Sequence, residues 1–179
     1  IRERGYEATT VEQIAEAAEV SPSTVFRYFP AKEDIVLTDA FDPVLERELR
    51  ERPADEPIAE SLRQVLRRAV VLGFSAEPEE AVLRTRLMVE VPAVRSRMLE
   101  SMAATGGMLC RVIAERTGGD PGDLEVRAFS MGLMGALTET TAYWAERGHK
   151  DDLADLVDRT LSVLTSGFSG APDAGGMPS

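Results

Sequence analysis

A single cysteine and a single histidine, Cys110 and His149, remove several chemistries at the outset. One thiol forms no internal disulfide, and one imidazole builds no histidine-rich metal site. Any Ser/His/Asp triad would have to use His149, which lies between Gly148 and Lys150 and is expected to be a solvated loop residue. Long apolar runs are missing as well: Ala128 to Thr138 covers eleven residues without a charge, where a membrane-spanning helix needs about 20. No signal-peptide pattern opens the chain, so a cytoplasmic location and no membrane partner are expected. No alternating β-branched run of useful length occurs, whereas 3.6-residue periodicity recurs, so the chain is expected to be all-α. Basic excess is lacking too. Against 31 acidic side chains stand 20 basic ones, a net charge of −11, so bulk charge cannot hold nucleic acid and any such contact must be local.

The helix signals are distinct. Ile1 to Arg4 reads as the end of a helix before Gly5, so the natural chain is expected to begin earlier. Thr10 and Gln13 have the spacing of a capping box, which predicts a short helix over about 10–18. Ser21 and Pro22 open a second over about 22–28, with Val25 and Phe29 facing a small core with Ile14 and Ala18. A third is expected from Lys32, bending at Pro43 and ending near Pro53. Helices then follow at about 57–74, 78–90, 92–117, 122–147 and 151–167, separated by Pro78, Pro92, the Gly118–Pro121 run and Gly148. These elements divide into residues 1–38, residues 39–167 and a loose tail over 168–179.

The stretch "VSPSTVFRYFPAK", Val20 to Lys32, carries no carboxylate in a strongly acidic chain. Two short helices joined by a tight turn describe a helix-turn-helix, whose second helix enters the DNA major groove. Its exposed side would present Ser23, Thr24, Arg27 and Tyr28 to phosphates or base edges. Lys32 would add its charge to the positive end of the next helix as a phosphate clasp.

"GYEATTVEQIAEAAEVSPSTVFRYFPAKEDIV", Gly5 to Val36, closely resembles the N-terminal domain of the TetR (tetracycline repressor) family. That resemblance implies an N-terminal three-helix helix-turn-helix DNA-binding domain, its first helix truncated here, followed by a larger helical ligand-binding and dimerisation domain. It further implies a homodimeric, ligand-responsive repressor on a palindromic double-stranded DNA operator. The DNA contacts it implies fall on Thr10, Ser21, Ser23, Thr24, Phe26, Arg27, Tyr28 and Lys32. Two positions depart from the family's pattern. Glu19 stands where glycine is usual, so the backbone there either avoids positive φ or accepts strain. Ala31 replaces a capping Ser or Thr.

In the C-terminal half, Val126 to Ala145 carries only Arg127 and Glu139 as charges, so its helix must be covered on more than one side. Gly132, Gly135 and Ala136 permit close approach of another backbone, and the last helix offers Leu153, Leu156, Val157 and Leu164. These residues are the expected dimer interface, with a buried monomer core as the alternative. Six methionines lie between residues 88 and 134. Of them Met88, Met98, Met102, Met131 and Met134, with Trp144, are expected to line a cavity for a bulky apolar or amphipathic effector. Phe74, Phe129 and Tyr143 are further candidate walls, and Arg84, Arg86 and Arg95 candidates to meet an anionic group. No cofactor or metal motif occurs. The acid pairs Glu79/Glu80 and Asp151/Asp152 sit near helix starts, where the helix dipole favours carboxylates, so no enzyme is expected. The remaining alternative is a helical protein-interaction module that binds no DNA.

Overall fold

The computed structural model describes residues 1–2, 4–37, 42–76 and 78–167; the expected tail over 168–179 lies outside them. Among the described residues every regular element is an α-helix. Thr10 caps α1 (Val11–Ala17) with both halves of the capping box: its hydroxyl accepts from the Gln13 N–H at 3.3 Å, and the Gln13 side chain accepts from the Thr10 N–H at 3.1 Å. Ser21 caps α2 (Pro22–Tyr28) by accepting from the Thr24 N–H at 3.2 Å. Between them Glu19 has φ 55°, so the strained alternative is the one realised, at a cost of about 1 kcal/mol. Ala15 and Val25 are the buried residues of these helices. Ala18, expected in that core, is exposed, because α1 ends at Ala17 and residue 18 already belongs to the turn.

Helix α3 (Lys32–Leu37) completes the head formed by residues up to 37. Ala31 lacks a capping hydroxyl, but Asp34 reaches back and accepts from the Ala31 N–H at 2.9 Å. The single bent helix expected from residue 32 is instead α3 and a separate α4 (Asp42–Glu51), with Pro43 in the first turn of α4, where a missing N–H costs nothing. Residues 38–41, where that bend would have begun, are outside the described set. The body continues with α5 (Ile58–Ala76), α6 (Pro78–Glu90), α7 (Pro92–Thr117), α8 (Leu124–Glu146) and α9 (Leu153–Ser166). Gly118 closes α7 in the left-handed conformation at φ 72°.

The main core gathers Leu49 of α4, Leu62 and Val65 of α5, Leu109 and Val112 of α7, Leu133 of α8, and Val157 and Leu161 of α9. Each such side chain contributes roughly 1.5–3 kcal/mol on burial. A second cluster joins head to body: Tyr6, Val36 and Leu37 pack with Leu87 of α6 and Val94 of α7, and Met88 and Met98 lie against them. Polar ties reinforce this junction, with Arg97 of α7 donating to Asp34 at 2.6 Å.

The corner between α4 and α5 is held by charge. Arg52 donates to Glu56 from Nε at 2.8 Å and again from Nη2, and the Ser61 hydroxyl adds a bond at 2.6 Å. Those bonds hold the Glu56 carboxyl down at about 2, well below its ordinary value near 4.5. A depressed folded-state value means that the stabilisation is full above the unfolded value and is lost as pH falls from about 4.5 towards about 2. Glu56→Gln is therefore expected to lower the melting temperature at neutral pH. Melting curves of both proteins between pH 7 and pH 2 should show that gap narrow through this window and close at its acid end.

Candidate DNA-reading face and effector chamber

The sequence of α2 puts its apolar Val25 inward and its polar and aromatic side chains outward. Ser21, Ser23 and Arg27 are exposed, as are Phe26 and Tyr28, at 45% and 67%, while Thr24 is half-buried. Ser21 lies 2.9 Å from the Ser23 hydroxyl and 2.8 Å from that of Thr24, and the Arg27 guanidinium stands over the Tyr28 ring at 5.0 Å. The exposed side thus joins hydroxyls, a guanidinium fork and two rings, groups that match phosphate oxygens and base edges. Thr10 is exposed at the start of α1.

Lys32 is placed differently from the expectation. Its ammonium donates to the carbonyls of Tyr6 at 2.9 Å and Thr9 at 3.2 Å and lies over the Tyr6 ring at 3.9 Å. The Tyr6 hydroxyl in turn donates to Glu33 at 2.5 Å, and burial together with that carboxylate pushes the phenol well above its ordinary range. Two of the three ammonium donors are therefore engaged inside the head, fastening the segment before α1 to α3.

Helices α4, α5, α6, α7 and α8, with Leu37 of α3, surround a chamber of about 850 Å³, within the range of roughly 300–1,000 Å³ usual for small-molecule sites. Met88, Met98, Met102 and Met134 line it. Met131 and Trp144 do not. Met131 is 43% exposed, its sulfur resting where a Cβ on Gly106 would stand. Trp144 is 5% exposed, with its indole N–H on the Asp151 carbonyl at 2.7 Å and His149 edge-on at 4.3 Å. Both residues sit on the all-apolar α8, whose sides carry no sequence signal to separate them. Phe129 packs on the main core, Tyr143 lies on the outer face, and the side chain of Phe74 is outside the described set. Of the three candidate arginines only Arg95 lines the chamber. Leu37, Leu45, Glu48, Leu66, Leu99 and Leu137 complete much of the wall and were not singled out, because leucines at helical spacing look the same in any core.

His149 is not a solvated loop residue. It is half-buried at φ 60°, with Nε2 3.0 Å from the Thr85 hydroxyl, which already donates to a carbonyl of its own helix. Burial first, and the Arg86 charge second, lower its pKa, so the neutral ring fastens the α8–α9 turn to α6. The acid pairs likewise have structural partners. Asp152 caps α9, Asp151 pairs with Arg147 at 2.7 Å, and Glu79 pairs with Arg2 at 2.8 Å. Among the described residues no group of three or more potential ligands could hold a metal ion.

The outer face of α8 and α9 is apolar. Leu124 is 76% exposed and Val163 49%, and Cβ atoms added at Gly132 or Gly135 would meet nothing within 4 Å. A groove of about 340 Å³ runs along the seam past Ala136, Tyr143, Arg159 and Leu164. Leu153 is half-buried there. Val157, expected to face a partner, belongs to the chain's own core, and Leu156 is only 6% exposed at the seam. The α9 stripe is wide enough to cover α5 and α8 first.

A DNA-reading head, an apolar chamber behind it and an uncovered apolar face define a helix-turn-helix regulator with a sensor domain. Residues 1–38 match the model for bacterial regulatory proteins of the tetR family, and residues 56–169 match the MftR C-terminal domain. The chain belongs to the TetR family of transcriptional regulators. It is 39% identical over 129 residues to the HTH-type transcriptional regulator TcmR of Streptomyces glaucescens, over 67% of this chain and 56% of that protein, so the match spans little more than half of TcmR. Thermus thermophilus FadR, solved in complex with lauroyl-CoA, superposes with a TM-score of 0.62 at 26% identity, over 98% of this chain and 93% of the other. Bacillus subtilis FadR, solved in complex with stearoyl-CoA, gives 0.63 at 25% identity, over 93% and 92%. No described helix is long and apolar enough to cross a membrane.

Proposed function

We propose that this protein represses transcription by holding a palindromic operator as a dimer paired through α8 and α9, and lets go when an amphipathic molecule with a long apolar body enters the chamber. The roles of Ser23, Thr24, Arg27 and Tyr28 as DNA contacts, the boundaries near residues 38 and 167, a cytoplasmic site of action and the absence of catalysis are parts of the same reading. One observation carries it: Leu37, Met88 and Met98 line the chamber and also pack in the cluster that joins head to body. A ligand that displaces these side chains changes the seat of the head, and it releases DNA to the extent that it binds the released seat more tightly. The lauroyl and stearoyl chains held by the two FadR structures support a body of similar length here.

The test begins with selection of bound DNA from a random pool by the dimer, followed by titration of the recovered operator with decyl- and dodecyl-chain compounds. A palindrome with half-sites one DNA turn or somewhat more apart is expected, together with loss of operator affinity on adding at least one such compound. An operator affinity that no apolar or amphipathic compound alters would refute the reading.

A further inference from the structure

The ionisable groups of the chamber wall are unbalanced. Among the described residues, Glu48, Glu139 and Glu146 line it, against Arg95 alone. Arg95 donates from one Nη to the Val89 carbonyl at 2.6 Å, so part of its fork is engaged with the backbone. Glu48 is half-buried: its side chain is 19% exposed, and it meets, at 3.5 Å, an Arg68 guanidinium that is itself 68% exposed. A carboxylate lining an apolar chamber with so long a contact to its partner retains acceptor capacity.

Resting on the reading of the chamber as an effector site, we infer that the effector's head is a hydrogen-bond donor without negative charge, an amine or a hydroxyl, and that Glu48 accepts from it. Phosphate and carboxylate heads call for guanidinium forks or helix N-termini. Here a polyphosphate head would meet, among the described residues, three carboxylates, of which Glu139 and Glu146 are exposed, and one partly engaged arginine, in a chain of net charge −11. Arg84 and Arg86 do not relieve this. Arg84 faces the cleft between head and α6, and Arg86 pairs with Glu90 at 3.4 Å. The chain therefore shares a fold with regulators solved with acyl-CoA while its own wall selects a different head. Glu48 lies on α4, beside Leu49 in the main core, so a head drawn to it pulls on the first body helix after the DNA-reading unit.

The experiment is calorimetric titration of the full-chain dimer with decylamine, decanol, decanoate and decanoyl-CoA, each below its micellar concentration. Decylamine or decanol is expected to bind at least about tenfold more tightly than decanoate and decanoyl-CoA. In Glu48→Gln, the affinity ratio of decylamine to decanol is expected to fall about tenfold; being a ratio within one protein, it is insensitive to a general loss of fold. Decanoyl-CoA or decanoate binding as tightly as the uncharged and cationic compounds overturns the inference while leaving the effector chamber standing. An unchanged ratio in Glu48→Gln overturns the role of Glu48. If none of the four compounds binds, the effector chamber itself fails, and this inference with it. Should the variant not fold, the four-compound series on the native protein decides alone.

Discussion

Arg27→Ala is expected to weaken operator binding by roughly 30-fold to 10⁴-fold. A guanidinium that reads a base or clasps a phosphate is worth about 1–3 kcal/mol, and a two-fold dimer loses two of them. The exposed guanidinium over Tyr28 makes few demands on the head's own folding, so the melting temperature should hardly move. Binding assays across a salt series, alongside melting curves, check both halves of that expectation. A loss of less than about threefold would remove Arg27 from the reading face. Lys32→Ala supplies the contrast. As a phosphate clasp, lost twice in the dimer, it would lower the salt slope by about 2 and leave stability alone, but with its ammonium on the Tyr6 and Thr9 carbonyls it should lower stability of the head first.

Arg116→Ala is the second substitution with a large expected effect, and it acts far from DNA. The Arg116 guanidinium donates to the carbonyls of Leu49, Arg52, Pro53 and Glu56 and to the Ser61 hydroxyl, at 2.8–3.2 Å. The end of α4 and the turn into α5 thus depend on one side chain from α7. Its removal leaves several carbonyls at a helix terminus without a donor, at a cost on the order of 3 kcal/mol, or roughly 6–12 °C in melting temperature for a chain of this length. Arg116→Lys should recover little, because a single ammonium cannot span five acceptors. Since α4 carries Leu45 and Glu48 into the chamber wall, the alanine variant should also bind effector more weakly; calorimetry separates that loss from the change in stability.

Much of this architecture was legible because helix ends carry chemical marks. Thr10, Ser21, Pro22, Pro78, Pro92 and Gly118 set the bounds of α1, α2, α6 and α7 to within about a residue. What stayed hidden depends on which side of a helix is covered. Periodicity cannot orient α8, which is apolar all round, so Trp144 and Met131 could not be told apart from Met134. Lys32 is a second kind of omission. Its role is set by two backbone carbonyls more than twenty residues earlier, and no side-chain pattern announces a carbonyl as a partner. Glu48 and Arg116 are ordinary charged residues in an amphipathic sequence, and only the folded chain shows that one faces a chamber and the other gathers a corner.

The wall shared by Leu37, Met88 and Met98 also bears on how such a sensor can change its ligand in evolution. A substitution there alters the fit of the effector and the seat of the head together, so a new specificity gained at that wall arrives with a new resting affinity for the operator. Leu66 and Leu137 also line the chamber but pack against the main core of the body. Drift in ligand choice has freer play there, and descendants that recognise different molecules should differ first at those two leucines while residues 37, 88 and 98 lag behind.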